Sequence, residues 1–310
     1  MNRGMTVSIV VVGSVAFDSI ETPIGSIERA IGGSATYFSL AASYFIPVQV
    51  VAVVGEDFGD EYQSILQERN IDLEGLAVVK GGKTFFWKGR YGLDLNERES
   101  LATELNVFEG FRPSLPESYR KSKWIFLGNI DPEIQLEVID QIEGRPFVGC
   151  DTMNFWIQGK PDKLRKVLSR VDVIFINDSE ARELSGEMNL FRAGQLILDM
   201  GPTAVVIKKG EHGAFLFIEK FKFFAPAYPL ADVVDPTGAG DSFAGGFMGY
   251  LAGTEKLDEE NLRRAMYFGT INASYACESF SVERLRSLTE LDIAGRFDEL
   301  LDLVRVTKLA

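Results

Sequence analysis

Short runs of apolar and β-branched residues alternate along this chain with longer stretches whose apolar positions recur every three or four residues. The runs at 8–12, 48–54, 124–127, 147–150, 171–176 and 204–208 predict strands. Between them, 34–45, 61–70, 131–142, 179–185 and 242–251 predict helices, several opening on an Asp or Ser suited to capping. Strands and helices in alternation imply an α/β fold, a mainly parallel central sheet flanked by helices. Two stretches break the alternation: 17–30, and 83–111, where the aromatic, strand-like 84–91 precedes the polar 94–100. They predict a small β lid drawn from approximately 14–30 and 83–111, with a plain surface hairpin as the alternative. No Pro- or Ser-rich linker and no internal repeat divides the chain, so one lidded domain over 1–310 is expected.

Composition narrows the function classes. With 46% hydrophobic and 25% charged residues among 310, the chain can bury a substantial core. A net charge of −13 argues against general binding to nucleic acid or to an anionic membrane. Cys150 and Cys277 are the only cysteines, far apart and without metal-ligand spacing, so neither a disulfide framework nor a zinc site is expected. No apolar run approaches the ~20 residues of a membrane span. Met1-Asn2-Arg3-Gly4-Met5 offers too little apolar sequence before Gly13 for a secretory signal, so a cytoplasmic location is expected.

The densest chemical signal is Asp235-Pro236-Thr237-Gly238-Ala239-Gly240-Asp241-Ser242-Phe243-Ala244-Gly245-Gly246-Phe247. Pro236 presets a turn, Gly238 and Gly240 permit backbone geometries denied to bulky residues, and a helix can start at Ser242. A glycine-lined helix N-terminus can hold phosphate oxygens through its N–H groups and dipole. Asp241 at its edge could take a proton from an attacking alcohol; by itself, a Gly-x-Gly-Asp turn reads rather as a helix start capped by Asp241.

The whole segment resembles the C-terminal signature of the pfkB family of carbohydrate kinases, which is ribokinase-like. The resemblance extends to Gly13-Ser14-Val15-Ala16-Phe17-Asp18, to Gly32-Gly33-Ser34-Ala35-Thr36 and to Asn177-Asp178-Ser179-Glu180, and so spans most of the chain. It implies a kinase using ATP and Mg2+, with Asp241 as catalytic base and Gly238, Ala239 and Gly240 as the anion hole. Asp18 would bind acceptor hydroxyls, beside a Gly32-Gly33 turn of close approach. Asn177 would lie near the nucleotide phosphates and Glu180 would order magnesium through water. Lys208, Gly210 and Gly213, in a strand and glycine turn before 214–218, match positions on the ATP side, and Asn272, with Ala276 and Ser281, falls in the region of the adenine pocket. Asp235 and Thr237 match the surroundings of the monovalent cation, K+, of many members. Backbone oxygens supply much of such a site, so residue types neither require potassium nor exclude it.

Competing motifs fail. Gly82-Lys83-Thr84 lacks the earlier glycine of a Walker loop, where Ala77 stands, and Phe243 occupies the third glycine position of a dinucleotide fingerprint. His212 is the only histidine, which leaves hydrolase triads little support. A non-catalytic nucleotide-binding regulator of the same fold is the alternative from a different class, opposed by the presence of Asp241. The acceptor is expected to be a small sugar or sugar-containing metabolite, with a nucleoside as the alternative. Tyr37 stands where many sugar-kinase relatives have Asn, and Phe85, Phe86, Trp87 and Tyr91 on the lid, with Phe155 and Trp156, offer faces on which a base could stack, or could serve a hairpin or a homodimer contact through the lid.

Overall fold

The computed structural model describes residues 7–306; the N-terminal pentapeptide read above as no signal lies outside them. In chain order the strands are β1 Ile9–Val12, β2 Ala16–Thr22, β3 Gly25–Gly32, β4 Val48–Gly55, β5 Asp72–Val79, β6 Phe85–Tyr91 and β7 Arg98–Glu104. They continue with β8 Trp124–Leu127, β9 Phe147–Asp151, β10 Val173–Asn177, β11 Ala204–Lys208, β12 Ala214–Ile218 and β13 Lys222–Ala225. Nine of them form one sheet in the order β13-β12-β11-β10-β9-β8-β1-β4-β5, parallel except where β12 meets β11 and β13. The other four form a separate sheet, β3-β2-β6-β7, which is the lid.

All four residues of β1 are buried, and they alternate between two apolar layers. Ile9 and Val11 face a layer with Phe243, Phe247 and Met266; Val10 and Val12 face one with Ile134, Leu164 and Ile197. A strand covered on both faces loses the apolar–polar alternation of a half-exposed one, which is why a uniform Val/Ile run marked it. Among the described residues no helix is long and apolar enough to cross a membrane.

The helix expected over 34–45 is Ser34–Ala42, because the chain must turn before Pro47 to enter β4. The helix expected from Ser242 instead runs Ala239–Thr254. Its glycines allow contact with the Ser34–Ala42 helix: a Cβ on Gly245 would lie 2.5 Å from the Phe38 carbonyl oxygen, and one on Gly249 2.9 Å from Ala42 Cα. The half-polar edge strand β5 and the helices Glu259–Ala276 and Glu290–Leu303 complete the fold without having stood out in the sequence pattern.

Candidate active site

The parallel strands deliver their C-terminal residues to one edge of the main sheet, where loops can converge side chains on a ligand. From β1 the chain passes through Gly13-Ser14-Val15 into β2, and Asp18 is buried there. The Gly33 N–H favours the charged form of its carboxyl. Gly32 lies against the same group, since a Cβ there would sit 1.9 Å from Asp18 Oδ2. Gly33 has φ +95° and a Cβ would meet the Ser14 carbonyl oxygen at 2.5 Å, so only glycine fits. Ser14 and Ser34 clasp the turn reciprocally, each side-chain oxygen accepting from the other's backbone N–H at 3.0–3.1 Å. Burial first, then the charge of Asp235, raises the Asp18 carboxyl to about 7; the Gly33 N–H opposes this and Asp241 adds to it.

The second wall is the Asp235–Asp241 loop. Gly238 is the N-cap with φ +76°, and its backbone lies on the Tyr37 ring, 2.3 Å from where a Cβ would stand. Because the helix begins at Ala239, Asp241 sits inside its first turn and caps nothing. The Ala239 N–H is directed at the Pro236 carbonyl oxygen at 3.2 Å, whereas the Gly238 and Gly240 N–H groups make no backbone bond of that kind. Of the three N–H groups expected to line an anion hole, that of Ala239 is therefore turned toward the chain itself. Asp241 is raised by burial and by Asp151, against the lowering influence of Lys208 and Arg98.

Three strand ends supply the third wall. Lys208, closing β11, donates to Asp151 Oδ2 at 3.0 Å, closing β9. Its Nζ lies 2.9 Å from where a Cβ on Gly240 would stand, so the ammonium rests against the helix start. A cation at the positive end of a helix is unfavourable by itself; together the two form a focus for a polyanion, with Asp151 holding the lysine when none is bound. Between them, at the end of β10, Asn177 and Glu180 form a capping box: Asn177 Oδ1 accepts the Glu180 N–H and Glu180 Oε2 accepts the Asn177 N–H, both at 2.8 Å. Burial, then Asp151, raises Glu180. One Glu180 oxygen is thus tied to the backbone.

Gly210 and Gly213 bracket the β11–β12 turn with φ +53° and +88°. Gly210 is covered by Asn96 from the β6–β7 turn of the lid, and Asn96 also donates to Glu211 at 2.9 Å. Gly213 instead abuts β13, where a Cβ would meet the Ala225 carbonyl oxygen at 2.2 Å. Asn272 is wholly buried at the crossing of two helices, its amide donating to Phe268 O and lying against Gly246. The structure therefore brings together Asp18, Gly32, Gly33, Tyr37, Gly238, Asp241, Glu180 and Lys208, and sets Gly213 and Asn272 in packing contacts.

Two residues of this cluster, Asp151 and Arg98, went unremarked as site residues in the sequence, and a third, Tyr91, was read there only as a face for stacking. Asp151 follows directly on the buried run 147–150, the place where a strand end reaches the site, and that position was its signal. Tyr91 bonds Thr237 Oγ1 at 3.0 Å and so ties the lid to the glycine turn. Arg98, opening β7, acts electrostatically on both Asp241 and Glu180 and had no sequence signal.

A profile described as pfkB family carbohydrate kinase matches residues 132–284. Over 256 residues the chain is 31% identical to the cytidine kinase of Thermococcus kodakarensis, covering 79% of this chain and 89% of that one. The chain belongs to the pfkB family. This pfkB-family kinase is also 24% identical to the nucleoside kinase of Methanothermobacter thermautotrophicus over 80% of its length and 84% of that protein's. Its fold matches the Methanocaldococcus jannaschii nucleoside kinase, an archaeal member of the ribokinase family, with TM-score 0.76, 20% identity and coverage of 96% and 100% of the two chains. A putative ribokinase II from E. coli, in complex with ATP and Mg2+, matches with TM-score 0.78 at 17% identity, covering 94% of this chain and 99% of that one.

Proposed function

We propose that this pfkB-family kinase transfers the γ-phosphoryl group of ATP to a hydroxyl of a nucleoside. The observation that carries this reading is the 31% identity with a cytidine kinase over most of both chains. It favours the nucleoside held as the alternative over the small sugar or sugar-containing metabolite expected first.

In this reading Asp18 accepts hydrogen bonds from ribose hydroxyls in the cradle made by Gly32 and Gly33. Asp241 receives the proton of the attacking hydroxyl as the oxygen bonds to phosphorus and the bond to the ADP oxygen breaks. Gly238 and Gly240 N–H groups and the Lys208 ammonium meet the charge on the transferred group. Asp241 must be ionised to act, and its raised pKa keeps it a stronger base than a solvated carboxylate.

Among the described residues no three His, Cys, Asp or Glu side chains form a metal cage. That suits magnesium, which retains several waters and binds through few carboxylates plus substrate phosphates. Glu180, beside Asp151 and with one oxygen not held by the capping box, would hold it through water, and the ion would neutralise polyphosphate charge. At the positions matched to a monovalent cation, Asp235 Oδ1 accepts from Thr237 N at 2.9 Å, Asp235 Oδ2 from Ser281 N at 3.2 Å, and Thr237 Oγ1 is bonded to Tyr91; backbone oxygens would supply much of such a site. No step is assigned to potassium.

The test is a mass-resolved assay of the protein with ATP and Mg2+ against nucleosides and free pentoses and hexoses. A nucleoside monophosphate is the expected product; phosphorylation of a free sugar with no nucleoside product would overturn the reading.

A further inference from the structure

We propose that Trp87 is the platform on which the nucleobase of the acceptor stacks, an inference that rests on the nucleoside reading and adds the residue that recognises the base. Asp18 on β2 pairs directly with Trp87 on the parallel neighbour β6. Residues paired in this way project from the same face of a sheet, about 5 Å apart along the hydrogen-bonding direction. The face that carries Asp18 into the acceptor cradle therefore carries the indole beside it.

The indole is held flat. A Cβ on Gly89, two residues on, would lie 2.1–2.3 Å from its six-membered ring, so the ring lies over Gly89 and a larger residue would displace it. Its Nε1 donates to Ser100 Oγ of β7 at 3.1 Å, which fixes the edge. Further along the same face, Tyr91 reaches Thr237 in the glycine turn. The half-buried indole thus lies beside the group proposed to hold the ribose, on the face of the lid that Tyr91 ties to the glycine turn.

The other candidate aromatics are committed elsewhere. Phe85 stacks on Phe108 at 5.4 Å, and Phe108 in turn on Phe111 at 5.5 Å. Phe86 packs against the main core. Tyr91 is buried and bonded. Trp156 belongs to a different loop, with its Nε1 on Asn129 Oδ1 at 3.0 Å and its ring edge-on to Phe155. Only Trp87 combines a place beside Asp18 with a fixed, partly open π-face. Stacking on such a face tolerates different bases, because every base presents a π-surface. A prepositioned indole also spends little conformational entropy on binding.

The test compares wild type, Trp87→Leu and Trp87→Phe with cytidine and with 1-O-methyl riboside, a ribose lacking a base, and follows tryptophan fluorescence on adding cytidine alone. Wild type is expected to show quenching that Trp87→Leu lacks. Trp87→Leu is expected to raise KM for cytidine roughly tenfold or more, well beyond its effect on the riboside and with a smaller change in kcat, and Trp87→Phe to recover part of the loss. Equal losses on both acceptors, or an unchanged KM for cytidine, would overturn the platform while leaving the nucleoside reading intact. A wild type that phosphorylates no nucleoside would overturn that reading, and the platform with it.

Discussion

Asp151 sets the electrostatics of the site from one side chain away. It raises Asp241 while pairing with the Lys208 that lowers it. In the proposed mechanism Asp241 must be ionised, so activity should fall as pH drops through its raised pKa. Asp151→Asn removes a like charge and releases Lys208, so the acid limb of kcat/KM should move to lower pH; Lys208→Met should move it to higher pH. Shifts in the same direction for both variants, read from pH–rate profiles, would contradict this coupling. Asp18 offers a stability counterpart. Burial pushes its carboxyl up to about 7 in the fold, against 3.8 for a solvated aspartate, so the folded state binds the proton more tightly. Stability from this group is complete below about 4 and is lost as pH rises through about 7, a difference of about 4 kcal/mol at most. Asp18→Asn should therefore melt several degrees higher than wild type at pH 8, with the gap closing toward pH 4, while losing turnover. At this scale the sequence announced Asp18, Asp241 and Glu180 through their glycine and Asn neighbours. It said little of Arg98, whose proximity to Asp241 depends on how a whole sheet folds over the site.

The lid is fastened to the main sheet at one identifiable point. Thr84, just before β6, donates through its N–H and its hydroxyl to Asp57 Oδ1 at 2.8 and 2.7 Å, and its hydroxyl accepts from the Gly55 N–H at 3.0 Å. Arg29 of β3 reaches Asp57 Oδ2 at 2.9 Å, so one carboxylate after β4 fastens two strands of the lid to the main sheet. Asp57→Ala should leave the Asp235–Asp241 turn intact yet loosen closure: a higher KM for the acceptor and a larger fraction of ATP hydrolysed without transfer, measured as ADP formed per phosphorylated product. An unchanged ratio would separate Asp57 from lid closure. The buried parallel strands were legible because burial on both faces leaves an uninterrupted apolar run. The Ala239–Thr254 helix was misplaced at its start because Gly240, a weak helix former, stands in its first turn, where it leaves room for the Lys208 ammonium. Its true start puts Asp241 in the first turn.

Across the whole molecule, the acidic balance and the basic focus at Lys208 serve different ends. A net charge of −13 argues against general nucleic-acid binding, while in the proposed mechanism the half-buried Lys208 and a helix start would receive a polyphosphate that magnesium partly neutralises. Family and chemistry were legible from motifs spread over the chain. Acceptor class was not, since a nucleoside and a pentose share the ribose that Asp18 would meet, and the difference falls on a lid whose register sets Trp87 beside Asp18. The most direct measurement of the central claim is single-turnover transfer from ATP to cytidine by wild type and Asp241→Asn, with ATP and acceptor affinities measured in parallel. Loss of at least a hundredfold in the transfer rate, with both affinities retained, is the predicted result. Equal rates in the two proteins would contradict the account.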